Sequence, residues 1–294
     1  MSTAALETVS RIRKLRRAEF PELLRQIHDP PRALFLRGAG DVNLLARPAV
    51  AIVGARACSP YGAQVARMLG RELAAAGLVV VSGLARGVDG EAHRGALEAE
   101  GLTVAVLGCG IDRDYPAAHA ELGRRIRERG LIVSEYEPGV EPAPWRFPAR
   151  NRIIAGLAAA TVIVEARERS GALITADFAL EDGREVFAVP GEITGSLATG
   201  TNRLLRQGAT PLTSAEDVLE LFGLAASQRR QAPSVGANAG AVLGQLAEGA
   251  ATADELARAT GLEPGPLAAA LAELELVGLA TEAAGRYRGV MPPG

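Results

Sequence analysis

The sequence predicts an α/β fold: an extended Rossmann-like, doubly wound parallel sheet followed by a small C-terminal winged-helix domain. Two observations predict the sheet. Short segments rich in Val, Ile, Leu and Ala recur from residue 49 onward, and most end at a turn that contains glycine or serine. They are apolar throughout instead of alternating, which is typical of parallel strands buried on both faces. The segments are 49–53, 78–81, 103–107, 131–133, 161–164 and 186–189.

The intervals between these segments are the second observation. Each interval has room for one crossover helix, which a parallel sheet requires. Residues 46–224 are therefore predicted to form one Rossmann-like domain. Its crossover helices are predicted at 61–76, 87–100, 117–129 and 172–181, and a final helix at 215–222.

Residues 1–45 are predicted to form a short basic and helical segment ahead of this domain. A run of basic side chains is expected to lie on the solvated face of a helix, with a grip on DNA as the alternative. A short helix at 21–27 and a strand at 33–36 follow. The basic residues are Arg11, Arg13, Lys14, Arg16 and Arg17.

A linker is predicted at 225–239, where Ala, Ser, Gln and Gly dominate and large apolar side chains are few. Residues 240–294 are predicted to form the winged-helix domain. Its helices are expected at 242–248, 253–260 (with Thr252 as N-cap) and 264–275, and its hairpin at 279–290.

The charge of this last domain argues against a DNA-reading role. A recognition helix needs Arg, Lys, Asn or Gln to touch phosphates and base edges. The third helix has none of these and carries Glu273 and Glu275. From Gly240 onward, seven acidic residues face only three arginines. We therefore expect this domain to contact protein.

Composition and charge exclude several classes of protein. The formal net charge of −2 argues against coating nucleic acid through bulk charge, so contact with DNA must use a local patch. No apolar run is long enough to span a membrane, and the first residues lack the apolar core of a signal peptide. Cys58 and Cys109 form neither a zinc-binding spacing nor a disulfide framework. We expect a cytoplasmic protein without a membrane partner.

The segment 142–156 is the most informative local pattern. It surrounds Trp145 and Phe147 with three arginines, and no Asp or Glu occurs between Pro142 and Val164. Guanidinium groups bind phosphates and stack on bases, and an aromatic face accepts any base. A nucleic-acid surface is therefore predicted, the alternative being a solvated loop whose arginines cap the next helix. The three arginines are Arg146, Arg150 and Arg152.

The predicted topology places a ligand crevice beyond the carboxyl ends of the strands, where the strand order reverses. Arg56 and Arg86 follow the first two strands of the parallel sheet, so both are expected to face the same crevice as Arg150 and Arg152. Small residues in these turns let a phosphate approach the backbone amides of helix N-termini. The sequence predicts an anion site, opposed only by acids in the same loops. Those acids are Asp89, Asp112 and Asp114.

Familiar catalytic and cofactor motifs are missing from the sequence. The turn after the first parallel strand reads GARACS and not G-x-G-x-x-G, and G-x-x-x-x-G-K-[ST] occurs nowhere in the sequence. His28, His93 and His119 are scattered and form no HExxH pair, and no G-x-S-x-G elbow is present. We therefore expect no cofactor, no metal and no enzymatic activity.

Motifs from about Arg47 to Phe222 resemble those of a known family, the DNA-processing proteins called DprA or Smf. The ordered motifs are SGLARGVDGEAHRGAL, GCGIDRDYP, SEYEPG, FPARNRIIAG, VEARERSGALITADFAL, AVPGEI and GTNRLLRQGA. The C-terminal residues also look like the winged-helix appendage of that family. One position departs from the family pattern: Ala55 stands where a serine is usual.

The resemblance implies a homodimeric recombination mediator that binds single-stranded DNA without sequence preference. Members of the family protect incoming strands in natural transformation (competence) and load the RecA recombinase onto them. By motif position, phosphate contacts are implied for Arg56 and Arg86, and base stacking for Phe147. The remaining implied DNA-binding residues line the pocket or its floor: Gly83, Arg150, Asn151, Arg152, Ser170, Gly171 and Thr175.

Two alternatives remain at this stage. A phosphoribohydrolase-type enzyme also has a Rossmann-like domain with an arginine-rich nucleotide pocket. Its P-G-G-x-G-T motif is replaced here by ERSGALITA. A winged-helix transcriptional regulator is the second alternative, and the acidic third helix described above argues against it.

Overall fold

The computed structural model describes residues 12–224 and 235–290. Internal contacts divide the chain into two compact units, Met1–Ala226 and Ser227–Gly294. Among the described residues, no helix is long and apolar enough to cross a membrane.

Within residues 12–224, nine strands form one sheet in the order β1-β2-β6-β5-β4-β3-β7-β8-β9. Neighbours from β6 to β9 pair in parallel, whereas β2 pairs antiparallel with both β6 and β1. This confirms the predicted doubly wound sheet, whose strands are β1 (Ile12–Arg16), β2 (Ala33–Arg37), β3 (Ala49–Val53), β4 (Val79–Ser82), β5 (Thr103–Leu107), β6 (Leu131–Ser134), β7 (Ala160–Ile163), β8 (Glu185–Ala188) and β9 (Thr210–Pro211).

Helices cover both faces of this sheet. The predicted helix at 117–129 begins as a 3-10 turn, Ala117–His119, and two further 3-10 turns are Arg17–Glu19 and Val42–Ala46. The α-helices are α1 (Glu22–Gln26), α2 (Pro60–Ala75), α3 (Val88–Glu98), α4 (Ala120–Arg129), α5 (Arg146–Gly156), α6 (Gly171–Glu181), α7 (Thr199–Arg206) and α8 (Glu216–Leu221).

The apolar strands are explained by burial on both faces. In β3, Ala49 and Val53 belong to the core cluster that contains side chains of α5, α6 and α7. The intervening Val50 and Ile52 belong to the cluster that contains side chains of α2, α3 and α8. Because both faces are covered, every position of β3 is apolar, as the sequence pattern requires.

Close backbone approach fixes α2 against α3. A Cβ atom added at Gly70 would lie 2.2 Å from the carbonyl oxygen of Ala92, and one added at Gly95 would lie 2.0 Å from that of Arg67. Both contacts are far below van der Waals distance, so only glycine fits at this crossing. The two helices thereby hold the loops that precede them at the carboxyl edge of the sheet.

Residues 12–16 of the basic segment near the N-terminus form a strand, so the predicted helix face is wrong there, and Arg17 begins a 3-10 turn. Backbone pairing along the whole of β2 overrides the local pattern, and Leu15 enters the core. Lys14 lies 5.0 Å above the Phe35 ring on the paired strand, and Arg13 Nη2 donates to the carbonyl of Gly40 at 2.7 Å. Arg11 lies outside the described residues. The predicted helix at 21–27 and strand at 33–36 correspond to α1 and β2.

The second unit has the predicted winged-helix architecture. Thr252 is the N-cap of α10, as predicted, and it forms a capping box with Glu255. The core of this unit includes Leu246, Leu256 and Leu274. The predicted linker, 225–239, overlaps the first residues of α9, and its part 225–234 lies outside the described residues. The elements are α9 (Ala237–Leu246), β10 (Ala251–Thr252), α10 (Ala253–Thr260), α11 (Pro264–Leu276), β11 (Ala280–Ala283) and β12 (Arg286–Gly289), with the sheet order β10-β12-β11.

Candidate nucleic-acid interface

The strand order reverses at β3, which lies between β4 and β7. The chain leaves β3 and β7 toward opposite neighbours, so a crevice opens beyond their carboxyl ends. A pocket of about 280 Å³ occupies this place. Seven of the ten predicted site residues line it: Arg56, Phe147, Arg150, Asn151, Ser170, Gly171 and Thr175.

Arg150 forms the floor of the pocket. Its side chain is held by the backbone, since Nη1 donates to the carbonyl oxygens of Gly83 (2.7 Å) and Val106. The residue is only 4% exposed, and burial lowers the pKa of its guanidinium to about 10. A Cβ atom on Gly83 would lie 2.4 Å from Nη1, so this glycine makes room for the arginine. Gly83 therefore supports the pocket without lining it.

Asp89 is the acidic neighbour of Arg150 in the pocket. Its Oδ2 accepts hydrogen bonds from the amides of Gly83 (3.1 Å) and Ala85 (3.3 Å), which fixes the loop after β4. Burial raises the pKa of this carboxyl, while Arg150 and the two amides oppose the rise. Arg150 is buried and bonded to backbone carbonyls, so an incoming anion is attracted mainly by the exposed Arg56 and by backbone amides.

Phe147 forms the aromatic wall of the pocket. Its ring stacks on Tyr115 with the centroids 5.4 Å apart and the planes 21° apart, and the Arg56 guanidinium lies 5.3 Å from its centroid. Gly108 allows this packing, because a Cβ there would lie 2.8 Å from Phe147 Cδ1. The pocket thus joins an aromatic surface to an exposed cation. Tyr115 was missed as a site residue, although it lies in the motif GCGIDRDYP.

The N-terminus of α6 closes the pocket on the β7 side. Ser170 is the N-cap, and its Oγ accepts from the amide of Ala172 at 3.3 Å. Asn151 Nδ2 donates to the carbonyl of Gly171 at 3.0 Å, which ties α5 to α6. Thr175 lies buried one turn further along the helix. Because backbone amides point out of a helix start, this end favours a negatively charged ligand.

The prediction that four arginines converge on the pocket is wrong for Arg152, which is bonded elsewhere, and Arg86 is not among the residues that line the pocket. Arg152 bonds instead to Glu135 (Nη2 to Oε2, 2.8 Å) and to Asp29 (Nε to Oδ2, 3.1 Å). Arg150 and Arg152 are two residues apart on α5, so they point to opposite sides of the helix. Arg86 is exposed in the loop after β4.

Two of the three predicted opposing acids also lie outside the pocket. Asp114 Oδ1 pairs with Arg127 Nη1 at 2.7 Å. Asp112 Oδ1 accepts from the amide of Gly139 at 2.9 Å. Asp89 is the one member of that set that lines the pocket.

Buried histidine, serine and cysteine side chains near the strands have structural contacts. His93 Nδ1 lies 2.7 Å from Thr103 Oγ1, and burial lowers the pKa of this histidine to about 3. Ser82 Oγ donates to the carbonyl of Ile52 at 2.6 Å. Burial raises the pKa of the Cys109 thiol to about 11, which keeps it protonated and weakly nucleophilic. In the described ranges, no group of three acidic, histidine or cysteine side chains is placed to hold a metal ion.

These features define a Rossmann-like protein with an aromatic, cationic pocket at its switch point and a winged-helix unit in the same chain. Comparison with known families agrees with this class over nearly the whole chain. The family described as "DNA recombination-mediator protein A" matches residues 11–223, and the "DprA winged helix domain" matches residues 226–286. The chain belongs to the DprA/Smf family of DNA-processing proteins.

Three relatives illustrate the similarity. A putative DNA processing protein DprA of Mycobacterium tuberculosis is 44% identical over 270 residues, covering 88% of this chain and 68% of that protein. The crystal structure of Streptococcus pneumoniae DprA superposes with a TM-score of 0.68 at 43% identity, covering 75% of this chain and 78% of that one. DNA processing protein A of Helicobacter pylori, studied for its single-stranded DNA binding mode, superposes with a TM-score of 0.66 at 33% identity, covering 73% and 97%.

Proposed function

We propose that this chain binds single-stranded DNA without sequence preference in the switch-point pocket, and that it acts by binding and not by catalysis. The observation that carries the proposal is the wall formed by Phe147, Tyr115 and Arg56. An aromatic face stacks on any base, and a guanidinium beside it contacts the phosphate of the same nucleotide. The single-stranded DNA binding mode studied in the H. pylori relative supports the same ligand.

We assign separate roles to the predicted site residues. Arg56 and Arg86 are exposed and contact phosphates, and Phe147 stacks a base. Arg150 and Gly83 form the supporting floor, and Arg152 anchors α5 through its acidic partners. The remaining residues receive a phosphate at the start of α6: Asn151, Ser170, Gly171 and Thr175.

We further propose that the bound strand is handed to a recombinase. The family description as a recombination mediator supports loading of the RecA recombinase in natural transformation or recombination. A homodimer in the cytoplasm is part of this proposal. Loading is tested by adding this protein to strand exchange that a single-strand-binding protein inhibits. Restored exchange by RecA supports the mediator role, and exchange that stays inhibited contradicts it.

The first prediction concerns strand preference. An aromatic ring can stack only on a base that is not paired. The protein should therefore bind oligo-dT more than tenfold tighter than duplex of equal length, a ratio that corresponds to the stacking free energy of about one base or more. Fluorescence anisotropy at two salt concentrations measures both affinities. Equal affinity for both forms would indicate binding through charge alone and would remove the assigned role of Phe147.

The second prediction concerns the winged-helix unit. Ending the chain after Leu224 should leave the affinity for oligo-dT nearly unchanged, because α11 carries Glu273 and Glu275 and no basic residue. Anisotropy of the shortened and complete proteins provides the comparison, with a thermal melt to confirm that the first unit is folded. A large loss of affinity in a folded, shortened protein would show that the proposal assigns the DNA site to the wrong unit.

A further inference from the structure

Trp145 is an unusually exposed aromatic residue. It is the single tryptophan of the chain, and 63% of it is accessible to solvent. Trp145 directly precedes α5 and lies outside the set of residues that line the pocket. A ring of this size is ordinarily buried in the core or in an interface, so its exposure calls for a ligand.

A stacked arrangement holds this ring in place. The guanidinium carbon of Arg146 lies 4.8 Å from the Trp145 ring centroid and 5.0 Å from that of Tyr136. Arg146 is itself fixed, because its Nη1 donates to the carbonyl of Glu141. The cation therefore packs against both aromatic rings, and much of the indole surface remains open.

The charge around this cluster is suited to an anionic chain. No acidic residue occurs between Pro142 and Val164. Three acids precede this stretch near Tyr136, and each is paired with a basic side chain: Glu141 with Arg113 at 2.5 Å, Glu135 with Arg152 at 2.8 Å and Glu137 with Lys14 at 3.5 Å. Arg146 carries no such ion pair in the described residues, so a polyanion with planar, unpaired bases complements the cluster in both charge and shape.

The cluster lies beside the pocket but does not share its nucleotide. Trp145 and Phe147 are two residues apart at the first turn of α5, so their side chains diverge to opposite sides of the helix start. One base cannot stack on both rings. A strand with one base on Phe147 would have to pass around the helix start to present a neighbouring base to Trp145.

We propose that Trp145 and Arg146 form a second base-stacking subsite, which takes an unpaired nucleobase of the same DNA strand whose neighbour occupies the pocket at Phe147. The inference rests on the proposed function. The indole stacks the base, and Arg146 orients the indole and attracts the adjoining phosphate. Because stacking uses a π-face that every base has, the subsite adds affinity without adding sequence preference.

Intrinsic fluorescence provides a direct test, because Trp145 is the only tryptophan. Titration with unlabelled oligo-dT should quench its emission, and the quench should saturate at the DNA concentration that saturates anisotropy of a labelled oligomer. An abasic oligomer of the same length supplies the control: it offers phosphates without bases and should leave the emission nearly unchanged. A quench of equal depth by the abasic oligomer would contradict stacking.

Substitutions of Trp145 distinguish the contribution of its π-face to affinity from that of its apolar volume. Trp145→Ala should weaken binding of oligo-dT roughly 5- to 150-fold without changing the salt slope, as loss of one stacked base predicts. Trp145→Phe should retain most of the affinity, whereas Trp145→Leu should not, because only phenylalanine keeps a π-face. Thermal melts should match the parent for all three variants, since the side chain is exposed.

The outcomes distinguish this inference from the proposed function. If the parent protein binds oligo-dT but its tryptophan emission stays constant and Trp145→Ala keeps the parental affinity, the subsite is wrong and the pocket stands. If the parent fails to bind oligo-dT in anisotropy, both the subsite and the proposed function are overturned.

Discussion

Replacing Arg150 with alanine is expected to destabilise the first unit by about 2–6 kcal/mol, since two buried carbonyl oxygens that lose their donor cost about 1–3 kcal/mol each. Asp89 would remain buried without its compensating cation, and the carbonyl oxygens of Gly83 and Val106 would lose their donor. Denaturant unfolding followed by circular dichroism measures the change. Unchanged unfolding of the variant would contradict the structural role of this arginine.

A second variant separates loss of charge from loss of packing. In Arg150→Met combined with Asp89→Asn, no unpaired charge is buried, so part of the lost stability should return relative to Arg150→Met alone. The matched exposed control is Arg56→Ala, which should melt like the parent because Arg56 is exposed at the mouth of the pocket. If the double variant is no more stable than Arg150→Met, the coupling between the two charges is refuted.

Phe147→Ala is expected to weaken binding of oligo-dT by about 1–3 kcal/mol through loss of base stacking. The slope of log affinity against log salt should stay nearly unchanged, because no phosphate contact is removed. Arg56→Ala should show the opposite pattern, with a slope smaller by about one unit. Anisotropy titrations over a series of salt concentrations measure both quantities.

Stability is the control for this comparison, since Phe147 also packs against Tyr115 and Gly108. Phe147→Leu keeps apolar volume but lacks a π-face, so it should melt closer to the parent than Phe147→Ala and still bind DNA weakly. Folded variants that all bind with the parental affinity would show that the base lies elsewhere.

The sheet could be predicted because burial dictates its sequence. A strand covered on both faces must be apolar at every position, as in β3, and a parallel neighbour needs a helix between. The pocket followed from the same logic, since the ends of parallel strands and the reversal of their order define where a crevice opens. Segment 12–16 was misassigned because pairing with β2 is a contact between distant segments, which local charge spacing cannot reveal.

Strand order by itself predicts a site residue only where the side chain lies shortly after the end of a strand, and the residues on α5 and α6 were implied by the family motifs. Arg56 lies in the short turn after β3, which ends at the crevice, so strand order places it there. Ser170 and Gly171 were implied by the family motif and not by strand order, since residues 164–169 separate them from β7. Arg152 was misplaced because its distance from Arg150 along α5 turns it to the far side of the helix, where Glu135 binds it. Tyr115 was missed because its stacking on Phe147 joins a loop to the distant helix α5, a contact that local sequence cannot reveal.

The two ends of the nine-stranded sheet within residues 12–224 restrict how copies of this protein can assemble. An edge strand with free backbone groups is a template for a strand of another chain. On β1, Arg13, Lys14 and Arg16 would face the same cations of an identical antiparallel strand, and like charges repel. On the other side, β9 has two residues and ends at Pro211, which lacks an amide hydrogen. A homodimer such as the one proposed is therefore expected to leave the two sheets separate, without pairing between their edge strands.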